Sequence, residues 1–350
     1  MSLNWNIFDQ AALTNVINYP LETRMEQEPS LGEQIAPLVD VQSREVKINV
    51  RDVHAFGKGQ LRAPGASPAL YEPKVSLREE VIELAILSEQ HRINDEDYLA
   101  LNSSDEMYRN KAGLSIVERG NILAIRNRRL TDVMRWDAFA GTTVLTYPSG
   151  AQVEIDYGLP ATHTPTAGTL WSDTTNSDPI ADLKTWQKLS AVELGHYGTK
   201  IHMSSDTWDL ILENEKLAEY LTGSDRALYV PRKEDVLALL RDGTEIIITD
   251  AGYRDEGVGT SRGVNTLTPY LQEGHVLITT PYTIEGERIA DTPNGQVLVS
   301  NSYNSVAIRQ GAQAEVILDH QSKTHFIRYE SARIPRILHP GAFVYAQVTA

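Results

Sequence analysis

The rhythm of hydrophobic and polar positions changes along this chain, and each change predicts a different element. Residues 1–44 hold short apolar clusters, Ile7-Phe8, Val16-Ile17 and Ile35, split by Pro20, Pro29, Gly32 and Pro37. No helical or strand period lasts long enough there to build a core, yet the segment is too apolar for a free tail. An arm draped over its own body or over a neighbouring subunit reconciles the two facts. From Glu45 the pattern alternates, Val46, Ile48 and Val50 against Lys47, Asn49 and Arg51, as in a half-buried strand. A second extended piece, Ala69–Val75, returns after the Gly- and Pro-rich stretch Gly57–Pro68. The pair predicts a long hairpin with a flexible tip, the alternative being a mobile surface loop. A lone two-stranded ribbon is marginal in water and needs something to lie on.

Helical signals follow. Ser76 and Glu79 form a capping-box pattern ahead of Val81, Ile82, Leu84, Ala85 and Ile86, which predicts a helix from Ser76. The longest periodic stretch runs from about Ser104 to Phe139. Ile116, Leu123, Leu130 and Met134 form one stripe, Ile122, Ile125, Val133 and Trp136 a second, with arginines interspersed. Such a helix spans on the order of 50 Å at 1.5 Å per residue, more than a compact domain needs. Gly113 and Gly120 lie inside it at a cost of roughly 1 kcal/mol each relative to alanine. They mark either close packing of another segment, the reading favoured here, or bend points. Val144–Tyr157 is a hairpin turning at Pro148-Ser149-Gly150, and a Thr-, Pro- and Gly-rich stretch to Ser177 predicts an interdomain crossing.

Beyond it, Asp178-Pro179 opens a helix that Gly195 ends. Ile201–Met203 is a short strand, Ser205 caps a helix through Leu221, and another helix lies near Lys233–Leu240. Thr244–Asp250 and His275–Thr280 are strands, and Thr324–Val348 is β-rich. The fold class is α+β, and 350 residues exceed what one core usually supports, so two domains are expected.

Composition removes function classes. There is no cysteine, hence no disulfide framework and no thiolate chemistry. No apolar run is long enough to cross a bilayer, and the N-terminus Met1–Asn6 lacks the features of a secretion leader. A net charge of −15 argues against nucleic-acid backbone binding as the main task. Solubility is the ordinary reading of the acidity, and a container wall that does not stick to packed nucleic acid is the sharper one. His196 and His202 are six residues apart across Gly198, and His320 and His325 five apart, where two ligands on one helical face need three or four. Gly257–Gly263 lacks the spacing and the following helix of a phosphate loop, and no Gly-x-Ser-x-Gly elbow is present. No catalytic, cofactor or metal residue is assigned.

The order of elements resembles the tailed-phage capsid fold of the Hong Kong 97 type, and local sequence is similar to the lambda-type major capsid protein, the capsid E family. Thr169-Leu170-Trp171-Ser172 with Asp178-Pro179-Ile180-Ala181-Asp182-Leu183 resembles that family's Trp-Ser and Asp-Pro-x-x-Asp segment. Ile201–Ser204 with Trp208, Ile246–Ile248 through Tyr253 to Pro269 and Val276–Ile278, and Glu330–Pro335 before His339–Val344 continue the match. The family shows Pro-Asp before its last strand where this chain has Pro340-Gly341. The resemblance implies an N-terminal arm (1–44), an extended hairpin loop (45–75), a spine-helix peripheral domain (76–177 and 324–336) and an α/β axial domain (178–323 and 337–350). It implies a major capsid protein that self-assembles into an icosahedral shell, located in the virion and assembled in the host cytoplasm. Its partners would be copies of itself as hexamers and pentamers, portal and scaffolding proteins, a decoration protein, and double-stranded DNA held by weak non-specific contact, with no membrane. Arg51, Lys58, Arg62, Pro64, Tyr71 and Lys74 are candidate intersubunit contacts, and Gly113 and Gly120 candidate helix bends. A cellular nanocompartment shell of the same fold is the runner-up, and a soluble α/β enzyme or sugar-binding module the rival from another class.

Overall fold

The computed structural model describes residues 10–27, 29–51, 77–147, 149–222, 231–254, 267–284, 286–301, 305–319 and 324–350. Contacts group the chain into two compact units. The first draws on Met1–Lys47, Val81–Arg135 and Asp291–Arg336, the second on Ile48–Glu80, Trp136–Ala290 and Ile337–Ala350. In this grouping residues 136–177 fall with the second unit and 291–323 with the first.

The first unit begins with helices α1 (Gln10–Gln27) and α2 (Leu31–Ile35) and strand β1 (Leu38–Asp40), where an irregular arm was expected. Leu13 and Ile17, one turn apart, are fully buried, and this anchoring holds α1 helical through Pro20. Thr14 Oγ1 donates to Ala314 O and accepts from Ala314 N, while Asn18 Nδ2 donates to Ala312 O. Ala314 lies in β17 (Gln313–Asp319), a terminal strand of the main sheet, so α1 side chains occupy backbone groups that an open edge would expose.

That sheet runs β1, β14 (Ala290–Asn294), β18 (Thr324–Arg333), β17, with β4 (Ala85–Arg92) paired to β18 and β19 (Arg336–Ile337) to β14. β4 pairs antiparallel with β18 from Ala85↔Arg333 to Arg92↔Phe326. The helix expected from Ser76 is thus not formed. Leu77–Glu83 is β3, joined to β2 (Glu45–Arg51) in a two-stranded sheet, and Ala85 and Leu87 point inward while Ile86 and Ser88 point out. Strand pairing overrides the capping-box signal, as tertiary context routinely does with local propensity. The expected return strand Ala69–Val75 lies outside the described residues. β15 (Gln296–Asn301) and β16 (Ser305–Gln310) form a further hairpin.

After α3 (Asp95–Leu101) comes the long helix α4 (Glu106–Phe139), 34 residues. Ile116, Leu123 and Ala124 join Leu13, Ile17, Ala314 and Ile327 in one core. Gly120 is the point of closest approach: a Cβ there would collide with Ile17 Cδ1 and come within 2.9 Å of Ile327 Cδ1.

In the second unit, β5 (Thr142–Thr146) and β6 (Gln152–Asp156) form the expected hairpin, with Gly150 at φ +82° in its turn. The stretch to Ser177, expected to cross between domains, instead packs inside this unit, with Trp171 fully buried and its N–H bonded to Val348 O. α5 (Pro179–Leu194) is capped by Asp178 and ended by Gly195 at φ +74°. A four-stranded sheet runs β20 (Phe343–Gln347), β11 (His275–Thr279), β7 (Lys200–Met203), β8 (Glu245–Ile248), only β7 and β8 being parallel. The single helix expected over 205–221 is two, α6 (Ser205–Leu212) and α7 (Glu215–Thr222), and Ser204 is the cap. Asn214 makes the break, its Oδ1 accepting from the Lys216 and Leu217 N–H groups and its Nδ2 donating to Ser177 Oγ. α8 (Lys233–Leu239) and the small pairs β9 (Gly252–Arg254) with β10 (Leu267–Pro269) and β12 (Thr283–Ile284) with β13 (Glu287–Arg288) complete the unit.

Candidate assembly surfaces

Trp171, Ile180, Leu183 and Trp208, prominent in the sequence, are interior. Trp171 stacks on Trp186 at 5.9 Å and its indole N–H donates to Asp182 Oδ2 at 3.0 Å. Burial raises the Asp182 carboxyl even with that bond in place. Trp208, Ile201, Met203, Ile246, Val276 and Ile278 fill the same core. These residues position α5 and α6 on one face of the sheet, so their chemistry is packing.

His196 borders a cleft of about 320 Å³ with Tyr197, Thr199, Arg241, Asp242 and Pro281, and the Arg241 guanidinium lies 4.0 Å from the Tyr197 ring centre. His202 is fully buried in β7, so the two histidines are not brought to one site. His325 stacks on Tyr98 at 3.9 Å, and His320 lies outside the described residues, as does Gly257–Gly263. Among the described residues no group of three or more His, Asp or Glu could hold a metal, and no helix is long and apolar enough to cross a membrane.

The first unit holds a buried ion network that the sequence did not reveal. Glu33 receives both Arg128 Nε (2.8 Å) and Arg128 Nη2 (2.6 Å). Arg135, 1% exposed, donates Nη1 to Asp132 Oδ1 at 2.7 Å and Nε to Thr292 Oγ1 at 2.9 Å, and its Nη1 stands 3.6 Å from Glu33 Oε1. Ser30 Oγ donates to Asp132 Oδ1, and Thr292 Oγ1 donates to Ala36 O. Burial works to raise the Glu33 carboxyl, but the Arg128 bonds, the Arg135 charge and the Ser30 N–H outweigh it and leave Glu33 lowered. For Asp132 burial wins over Arg135, and the carboxyl is raised. The network ties the N-terminal segment to α4 and to β14.

Several large apolar side chains on regular elements remain exposed. On α4, Met107, Leu114, Ile122 and Leu130 are exposed, Ile122 and Leu130 belonging to the two apolar stripes read from the sequence. Val81 on β3, Ile86 on β4, and Val144, Tyr147 and Val153 on the β5–β6 hairpin are also exposed. Exposed apolar surface concentrated on several elements marks sites of protein contact. Of the candidate contacts, Arg51 ends β2, while Lys58, Arg62, Pro64, Tyr71 and Lys74 lie outside the described residues. Gly113 and Gly120 both fall inside the uninterrupted helix α4.

The profile of the phage major capsid protein E family matches residues 115–307, more than half of the chain. The chain belongs to that family. It is a shell-forming capsid protein, and its place is the virion. Two solved structures share its mixed α+β fold. One is a prophage protein of E. coli CFT073 described as a capsid protein (TM-score 0.54, 12% identity, covering 95% of this chain and 98% of that one). The other is a phage-related protein of Bordetella bronchiseptica RB50 (TM-score 0.53, 12% identity, covering 95% and 97%). No curated protein matches the chain. In a capsid protein the working surfaces are those that meet other copies, and the exposed apolar rows above are candidates.

Proposed function

We propose that this capsid protein builds its shell with the Hong Kong 97 division of labour, working through contacts rather than catalysis. The first unit, with the long helix α4 and the main sheet, takes the peripheral role. The second, with the four-stranded sheet and its helices, takes the axial role around symmetry axes. The segment joining β2 to β3 reaches a neighbouring copy, with Arg51, Lys58, Arg62, Pro64, Tyr71 and Lys74 as its contact residues. Gly113 and Gly120 give α4 places to adjust curvature between non-identical positions of the lattice. Hexamers and pentamers of the chain, assembled in the host cytoplasm, would meet portal and scaffolding proteins, a decoration protein and, weakly, packaged double-stranded DNA. The observation that carries this reading is the pairing of Glu45–Arg51 with Leu77–Glu83 as a separate two-stranded sheet. Such a ribbon gains stability from a surface supplied by another chain. Deleting Gly57–Pro68 is expected to leave a folded monomer, with unchanged circular dichroism, that forms no particles by sedimentation. Closed shells from the deleted chain would overturn the proposal.

A further inference from the structure

The β5–β6 hairpin is a second two-stranded ribbon, and its register separates two faces. Thr143, Leu145 and Tyr147 share one face with Val153 and Ile155, since Thr143 pairs with Ile155 and Leu145 with Val153. At the root this face is core, Thr143 and Ile155 being buried. Toward the turn the same apolar row runs out into solvent, Tyr147 at 43% and Val153 at 46% exposure. Val144 and Glu154 form a pair on the opposite face. The only charged residues between Thr142 and Asp156 are the acids Glu154 and Asp156.

A complementary row exists on α4. Lys111, Leu114, Glu118, Ile122, Ile125 and Arg129 follow one another at spacings of three and four, so they share a face. Leu114 (59%) and Ile122 (47%) are exposed and Ile125 is half-buried. Lys111 and Arg129 take part in no ion pair among the described residues, whereas Arg126 is held by Glu89. Glu118 is the single carboxylate in the row. The row is about 27 Å long at 1.5 Å per residue. The ribbon's five-residue strands extend roughly 17 Å and fit within it.

We propose that the β5–β6 ribbon of one copy lies along the Lys111–Arg129 face of α4 in a second copy, Leu145, Tyr147 and Val153 covering Leu114, Ile122 and Ile125. Glu154 and Asp156 stand on the ribbon's far face and add a longer-range attraction to Lys111 and Arg129 rather than close pairs. Ribbon and helix are different patches, so the contact is head-to-tail, the kind that closes rings. This rests on the chain's assembly into a shell, and it assigns a contact separate from the β2–β3 segment.

The absence of cysteine gives a clean background for the test. Val153→Cys and Ile122→Cys are introduced into separate chains, mixed, co-assembled and mildly oxidised. A disulfide dimer of twice the chain mass, requiring both variants and present in the particle fraction, is the expected result. Co-assembled particles in which no mixed dimer forms overturn the contact, as does a crosslink of the Val153→Cys chain to any other position or protein. Should Val153→Cys block assembly, Tyr147→Cys on the same face takes its place under the same criteria. Negative-stain microscopy of the unsubstituted chain reports separately on shell formation, so loss of the dimer and loss of the shell are distinguishable.

Discussion

Arg135 in the first unit and His202 in the second are both buried basic side chains, yet their surroundings have little in common. Arg135 lies among Asp132, Glu33 and Thr292, hydrogen-bonded to Asp132 and Thr292 and 3.6 Å from Glu33. His202 sits on β7 between the rings of Trp136 and Tyr282, with neither ring nitrogen hydrogen-bonded among the described residues. Burial is the main cause that drives its pKa down to about 4, Lys200 adding to the effect and Glu245 opposing it, so it is neutral at pH 7. Asp137, in the last turn of α4, is the acidic counterpart: burial alone pushes its carboxyl up to about 6. Arg135 is thus met by carboxylates, whereas His202 and Asp137 lack an opposite charge close enough to offset their burial. Pairing fixes geometry over a wide pH range, whereas neutralisation makes stability follow pH.

Removing the charge from one side of the pairing should have the largest effect. Arg135→Met leaves Asp132 and Glu33 buried without their shared cation, and a loss of about 3–5 kcal/mol in urea unfolding at pH 7.5 is expected. A loss below about 1 kcal/mol would show that the network is far wetter than its burial indicates. Next in size is His202→Phe. The native state resists protonating this histidine, so the stability linked to it is complete above pH 6.5 and falls as the pH drops toward about 4. The phenylalanine variant should therefore gain on the parent by about 3 kcal/mol between pH 7.5 and pH 4, the worth of the shift at 1.36 kcal/mol per unit. Parallel stability–pH curves for the two proteins would remove His202 from the account.

The smallest effect has the opposite sign. Asp137 is destabilising when ionised, so its contribution is best below pH 3.8 and declines as the pH rises through about 6. Asp137→Asn should stabilise the protein at pH 8 by roughly 1–2 kcal/mol, after allowance for partial solvent screening, and by nothing near pH 3.5. A gain that persists at low pH would trace to packing instead of charge. Across pH 6.5 to 4 the two titrations oppose each other, and only the single variants separate them.

Much of the second unit was legible from local signals. Asp178-Pro179 and Gly195 delimit α5 because capping, a fixed proline φ and a left-handed glycine act within a few residues. α4 was readable from its period, but which of its apolar residues face out was not, since Ile122 and Leu130 are left uncovered within this chain. The first unit was less readable for the same physical reason. β4 owes its extended form to β18, some 240 positions away, and α1 owes its helix to the packing of Leu13 and Ile17 in a core completed by Ala314 and Ile327. Glu33, Asp132 and Arg135 look like ordinary surface charges in sequence, because only the fold brings them together. Of the contact candidates, Arg51 alone is among the described residues, and the exposed rows on α4 and the β5–β6 ribbon needed burial to be recognised.

The hydrogen bonds from Thr14 and Asn18 to Ala314 and Ala312 join positions about 300 residues apart, and β20 (343–347) pairs with β11 at the centre of the other sheet. At a translation rate of roughly 5–20 residues per second, α1 leaves the ribosome many seconds before the strand it covers exists. Each unit is interrupted by pieces of the other, so neither can close until the distal segments are synthesised. A chain that stops before residue 291 consequently lacks a segment of each unit, so completion of both waits on the last part of synthesis.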